Sequence, residues 1–363
     1  MILHSKYSLR PQIQCAGNTI MVATKWTQEE VASRLVRYSD LRPCTTAFID
    51  TQSPGSEQKE NFTIIGPGVA ENPDQYVHID IPHGFNIGAA RQPAGCVNSQ
   101  HSHETAEVFV VHAGRWKFSL GENATDGDIE LGPGDTISIP IHVFRGFTNV
   151  GDSPGFLFAV LGEDNPGQVT WAPYVFEEAK KHGLILLKNG RLIDTTKGEA
   201  VPADGTPMPA TTVDDVRQLR RMTADEIKEC VVRDAELDKT SVKVFCDDGL
   251  SESAIVGAEN VDEEMPAGKM SWPHGFHLRR WKVDAGYSTP WHRRDEAEVI
   301  MMHQGHLNFV WEGGELEMQA GDVLTAPIGL ARQYVSKGDE TVIAYVVRGG
   351  DAPGPISVTG TDS

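Results

Sequence analysis

Apolar residues fall in short clusters bounded by glycine and proline rather than in long helical stripes. Val108-Phe-Val-Val111 is the clearest strand-forming run. Just upstream, an extended chain alternates its side chains with period 2, so His101 and His103 project from one face. The short link Glu104-Thr-Ala106 then lets Glu107 fold back beside both imidazoles. Helical patterning is confined to a few segments. Thr27-Gln-Glu-Glu30 and Thr223-Ala-Asp-Glu226 each read as a capping box opening a helix. Pro173 followed by Tyr174 through His182 and then Gly183 reads as a helix with proline in its first turn and glycine at its stop. The 36 glycines and 21 prolines suit many short strands joined by turns, which predicts an all-β chain with a few peripheral helices.

The pattern occurs twice. Pro82-His-Gly-Phe85 through Gly114 realigns with Pro273-His-Gly-Phe276 through Gly305 at a shift of 191 residues, placing Gly286, His292, Glu298 and Gly305 on Gly95, His101, Glu107 and Gly114. Gly134-Asp-Thr-Ile-Ser-Ile-Pro140 matches Gly321-Asp-Val-Leu-Thr-Ala-Pro327 at a shift of 187, and the two capping-box helices lead the two copies. A tandem duplication follows. It predicts a first repeat over 1–165, a helix and proline-rich linker over 166–221 including Val201–Pro209, a second repeat over 222–352 and a tail over 353–363. The longer segment 43–80 before the first repeat reads as an arm that packs on a mouth or edge strand.

Two histidines and a carboxylate at this spacing suit one divalent metal. A 2-His-1-carboxylate face leaves coordination positions open and is typical of non-haem Fe(II) oxygenases, while Mn, Ni, Co or Zn also fit. The formal net charge of −19 argues against nucleic-acid backbones and anionic membrane surfaces as partners. Five scattered cysteines without a Cys-x-x-Cys pair signal neither a disulfide framework nor a zinc knuckle, and no apolar run has the length of a membrane span. A cytoplasmic protein is the expectation, with residues 1–21 a polar leader and Met21 an alternative start.

The spacing Gly-x5-His-x-His-x3-Glu-x6-Gly from Gly95 to Gly114, followed by Gly134-x5-Pro140 and a strand ending near Asn149, resembles the two motifs of the cupin superfamily, and two copies resemble a bicupin. The resemblance covers roughly 80–162 and 271–348 and implies two antiparallel β-barrels of jelly-roll type, each able to hold a metal in its mouth. It implies His101, His103 and Glu107 as ligands of one metal per chain, with Fe(II) favoured, and a homodimer is expected. The departures are informative. Where the second family motif carries a fourth, histidine ligand, this chain has Arg145 and Arg332, and the motif glycine kept as Gly329 is His142 in the first copy. The second His-x-His has become His292-Arg-Arg294, so that barrel is expected to be metal-free.

Arg145 admits two readings: a forked clamp on an anionic substrate, together with His142, or an ion pair to Glu107. His112 and His303 before turn glycines, and His83 and His274 in the repeated Pro-His-Gly-Phe elements, read as structural. Three function classes stay open. The first is a mononuclear metal enzyme acting on a small anionic molecule, with the first barrel catalytic through Arg145 and Glu107, either a dioxygenase or a metal-dependent lyase, isomerase or decarboxylase. The second is metal-free acid/base chemistry of epimerase type. The third is a non-catalytic ligand-binding or storage-type bicupin.

Overall fold

The computed structural model describes residues 25–245, 248–352 and 354–359. The polar leader with Met21, and the residues Cys15 and Cys246, lie outside the described residues.

Each repeat builds two facing sheets, as the all-β expectation requires. In the first, a seven-stranded sheet runs in the order Val231–Val232, Thr136–Ile139, Glu107–Ala113, Gly155–Gly162, Phe85–Gln92, Glu60–Ile65, Val77–Ile79. A five-stranded sheet, Thr170–Trp171, Val97–Ser102, Arg145–Asn149, Trp116–Leu120, Gly127–Leu131, closes its other side. The second repeat repeats the plan around Glu298–Gln304, Val342–Gly349 and Phe276–Val283 on one side and His306–Trp311 and Arg332–Val335 on the other. All pairings of named strands are antiparallel except Glu60–Ile65 with Val77–Ile79.

Thr27 and Thr223 cap their helices as reciprocal capping boxes, satisfying backbone N–H groups that the first turn leaves open. The sequence grouped each leader helix with the barrel that follows it. The sheets show the opposite docking: Leu35–Val36, just after the first helix, pairs with Val323–Ala326 of the second barrel, and Val231–Val232 pairs with Thr136–Ile139 of the first. Reciprocal ion pairs fix the exchange. Arg37 donates to Asp322 at 2.9 Å and Arg233 to Asp135 at 2.7 Å, with the backbone N–H groups of Tyr38 and Asp234 on the same carboxylates.

The barrels share one core. A single apolar cluster contains Phe85, Ile87, Val160 and Phe156 of the first and Phe276, Leu278, Met301 and Val347 of the second. His83 Nε2 lies 2.6 Å from Thr325 Oγ1 and His274 Nε2 lies 2.8 Å from Ser138 Oγ, so each repeated Pro-His-Gly-Phe element grips the opposite barrel. His112 and His303 meet edge to face at 5.2 Å between the barrels. These four histidines are therefore structural, as read from the sequence. In the linker, helix Pro173–Lys181 and the hairpin Leu184–Leu186 with Leu192–Asp194 pack with Trp171, Phe144 and Ile49 into a further cluster beside the first barrel.

Candidate metal centre

The first barrel brings His101, His103 and Glu107 together as the spacing predicts. His101 lies on Val97–Ser102 in the five-stranded sheet and Glu107 opens Glu107–Ala113 in the seven-stranded one, so the trio bridges the two faces. Their ligand atoms lie within 4.8 Å of one another, all three residues are buried, and the rings of His101 and His103 stand 5.1 Å apart. Burial, reinforced by the charge of Arg145, holds both imidazoles well below the usual histidine range, so they stay neutral with ring nitrogens free to coordinate.

The fit to a metal can be tested on the polar atoms. His101 Nδ1 donates to Ser99 O at 2.7 Å, which fixes the ring and leaves Nε2 as its lone-pair nitrogen. His103 Nδ1 is buried without a hydrogen-bond partner among the described residues, an arrangement that is costly unless a ligand completes it. Two neutral nitrogens and a carboxylate form a donor set suited to a divalent ion.

Arg145 holds the position of the missing fourth ligand. It is fully buried, makes an ion pair with Glu107 and donates to His101 O at 3.1 Å. Burial pushes Glu107 up and Arg145 down, and each is opposed by the other's charge. Of the two readings left open above, the ion pair is the one present, and Arg145 is not among the side chains that line the adjoining cavity. His142 departs further from its expected substrate role. It sits at φ 62° in the turn where the second copy has Gly329 at φ 73°, and its side chain is exposed and outside the cavity lining. What it supplies is backbone: His142 N donates to His103 O at 3.0 Å, as Gly329 N does to Arg294 O at 2.8 Å.

A cavity of about 70 Å³ adjoins the trio. Gly88, Ala89, Ala90 and Ala159 leave its space open, while Phe62, Phe109, Phe147 and Leu161 line it from the strands. The arm over 43–80 forms part of the same wall with Phe48, Val69 and Ala70, and Trp171 adds an indole 5.2 Å from the His101 ring. The arm is tied down by Glu71, which accepts from Trp171 Nε1 at 2.6 Å and Ile49 N at 2.7 Å. Complete burial pushes the Glu71 carboxyl up to about 8. Beside it, Asp50 pairs with Lys59 and accepts Ser99 N at 3.0 Å, bracing the strand that carries His101. Sequence reasoning passed over Phe48, Asp50, Lys59, Glu71 and Trp171. The only local signals were buried-type charges in an arm and a tryptophan ahead of a proline.

The second barrel keeps a histidine, a glutamate and an arginine at the matching positions His292, Glu298 and Arg332, but Arg294 stands where the first has His103. Glu298 accepts from Arg332 at 2.6 Å, Arg348 at 2.9 Å and Tyr334 at 3.0 Å, with Arg294 Nε at 3.4 Å. Arg348 also grips Glu252 with two bonds of 2.9 Å, and Trp281 donates to the same carboxylate at 2.5 Å. Among the described residues, the one group of three or more His, Cys, Asp or Glu side chains placed to hold a metal is the first-barrel trio.

The cupin domain family matches residues 90–161 and 279–348. Comparison with curated protein sequences gives no match. Among solved structures, oxalate decarboxylase from Bacillus subtilis is 13% identical with a TM-score of 0.52, over 89% of this chain and 78% of that one. Oxalate decarboxylase from Lactobacillus farciminis in complex with formate is 12% identical with a TM-score of 0.52, over 89% and 88%. Vicilin from hazelnut, Corylus avellana, is 9% identical with a TM-score of 0.50, over 88% and 86%. At these identities the likeness is one of fold. The twice-matched domain, the repeated motif and the paired barrels make this chain a bicupin, a two-domain member of the cupin superfamily.

Proposed function

We propose that the chain is a mononuclear metal-dependent enzyme whose first barrel is catalytic, and that it acts as a dioxygenase-type oxidoreductase on a small organic molecule presenting an oxygen anion, carboxylate or enolate. The observation that carries this reading is the convergence of His101, His103 and Glu107 within 4.8 Å at the wall of a largely apolar cavity. His101, His103 and Glu107 would hold the ion. When bound, Fe(II) in such a three-ligand face supplies positions for an oxygen donor of the substrate and for dioxygen. The protein groups do the rest. Ser99 and the Asp50–Lys59 pair keep His101 in one orientation, Arg145 aims Glu107 and opposes the effect of its burial, and the apolar walls exclude water.

A lyase-type reaction is the second reading, favoured by the fold shared with the two oxalate decarboxylases. Two measurements separate them. Elemental analysis of protein purified without chelators should find about one metal per chain by the four-donor-or-fewer logic of such sites, and His101→Ala with His103→Ala should remove it. The protein reconstituted anaerobically with Fe(II) should bind nitric oxide and take up dioxygen when substrate candidates are added. Carbon dioxide release without dioxygen uptake would favour the lyase, and absence of any metal would remove both readings.

A further inference from the structure

The charges and the walls of the first-barrel cavity say more about its ligand than the donor trio does. Glu107 is the one charged side chain in the lining, and it is already paired with Arg145. The nearby Lys59 is fully buried and committed to Asp50 and to Asn98 Oδ1 at 3.1 Å. Among the described residues, no cation lines the space to receive a second anionic group. A carboxylate placed there, away from the trio, would lose its hydration without a partner.

The wall is instead aromatic. Phe48, Phe62, Phe109, Phe147 and Trp171 contribute ring faces and edges, and small residues leave the gap between them. The partial exposure of Gly88 and Ala159 in the middle of otherwise buried strands marks where the gap lies. Polar demand is concentrated in few places. Besides the trio, Asn61 lines the cavity, and its Nδ2 is buried with no hydrogen-bond partner among the described residues. A buried amide donor left in that state calls for an acceptor on whatever fills the cavity.

Resting on the metal-centre reading for its head group, the structure leads us to propose a ligand class: a flat, largely apolar molecule, aromatic or conjugated, with one oxygen-bearing head at His101, His103 and Glu107 and an acceptor within reach of Asn61. A second carboxylate that projects past the trio into the aromatic gap is disfavoured.

Calorimetry on the full chain, metal-free and Fe(II)-loaded under anaerobic conditions, tests this with benzoate, acetate and glutarate as probes. Benzoate should bind the loaded protein about tenfold or more tightly than acetate, because the ring buries apolar area that acetate lacks. Glutarate, whose second carboxylate must enter the gap, should show no such gain over acetate. Ala159→Leu, which fills the gap, should abolish benzoate binding while metal content and the thermal transition stay unchanged. Asn61→Ala should weaken it several-fold. Tighter binding of glutarate than benzoate, or undiminished benzoate binding in Ala159→Leu, overturns the inference. If the chain holds no metal yet binds benzoate and loses it in Ala159→Leu, the metal reading fails and the ligand class stands. If metal is bound and benzoate is no better than acetate, the reverse holds.

Discussion

The two barrels are copies by sequence and opposites in their interiors. At matched positions the first has Asn61, Gly88, Ala90, His103, Phe147 and Leu161, and the second has Glu252, Arg279, Trp281, Arg294, Tyr334 and Arg348. Small and apolar groups leave a cavity beside two neutral imidazoles in the first. In the second, long side chains fill the same space with a hydrogen-bonded ion network around Glu252 and Glu298. Exchanging a ligand for arginine thus did more than remove a donor. The positions around it carry the opposite charges that let several guanidiniums stay buried. At the mouth of the second barrel a cleft of about 700 Å³ remains, but its lining of Glu252, Asp262, Glu263, Glu264, Lys243 and Arg294 contains no histidine. One barrel is built to hold something and the other to hold itself together.

The largest expected effect breaks the second barrel. Glu298→Gln leaves Arg332, Arg348 and Arg294 facing a neutral amide in full burial, which should cost on the order of 3–5 kcal/mol. Glu107→Gln removes the charged partner of a single arginine that keeps its bond to His101 O and can bond the new amide oxygen, so about 1–3 kcal/mol is expected. Urea unfolding of both variants checks the ranking. Equal losses would mean that the two carboxylates are structurally equivalent after all.

Acidity should separate the barrels in opposite directions. Burial alone would raise Glu252, but Arg348 and its hydrogen bonds outweigh that and hold the carboxyl down at about 2. Its folded value lies below its unfolded one, so its stabilisation is present above about pH 4.5 and is lost as pH falls toward 2. Glu71 behaves in reverse. Burial lifts it to about 8, so the native state holds a proton that the unfolded chain has released, and stability declines as pH rises from about 4.5 to 8. Glu71→Gln keeps the shape and one of the two acceptor oxygens, which costs stability at every pH, but it cannot ionise and should flatten that decline by a few kcal/mol on the order set by the shift. Stability measured from pH 4.5 to 9 decides it. An unchanged slope in Glu71→Gln would mean that the carboxyl is solvated when charged.

A smaller and more local change sharpens the role of Arg145. Arg145→His supplies the fourth nitrogen of the family pattern and frees Glu107 from its ion pair, so chelator competition should show tighter metal retention. Arg145→Lys keeps the charge without the planar fork that reaches both Glu107 and His101 O, and should loosen the metal modestly. Unchanged retention in both variants would leave Arg145 as packing alone.

The parts of the molecule that were legible in the sequence are those encoded by short fixed spacings. His101, His103 and Glu107 lie on two successive strands and the turn between them, and the duplication shows at once that Arg294 replaces a ligand in the second copy. His142 was misread because only the backbone angle of its turn, shared with Gly329, shows that the side chain points to solvent. The arm was harder still. Phe48 reaches the cavity from far along the chain, and Glu71, behind the wall, meets Trp171 across 100 residues. No local pattern records such a meeting. The crossing of the leader helices was hidden for the same reason, since each helix precedes its own barrel in sequence and the exchange is decided by which sheet edge its strand joins.

That crossing gives the smallest effect and the most specific one. Thr27→Ala and Thr223→Ala each delete a capping box and should cost about 1 kcal/mol. If each helix steadied its own barrel, the loss would be felt in the repeat that carries the substitution. The exchange requires the opposite. Thr27→Ala should speed amide hydrogen exchange in Val323–Ala326, which pairs with Leu35–Val36, while leaving Thr136–Ile139 unchanged. Thr223→Ala should loosen Thr136–Ile139, next to the metal-binding strand Glu107–Ala113, through its partner Val231–Val232. A helix encoded at the head of the second repeat would then tune the floor of the first barrel's site. Exchange that rises only within the substituted repeat would show that the crossed strands carry no coupling between the two halves.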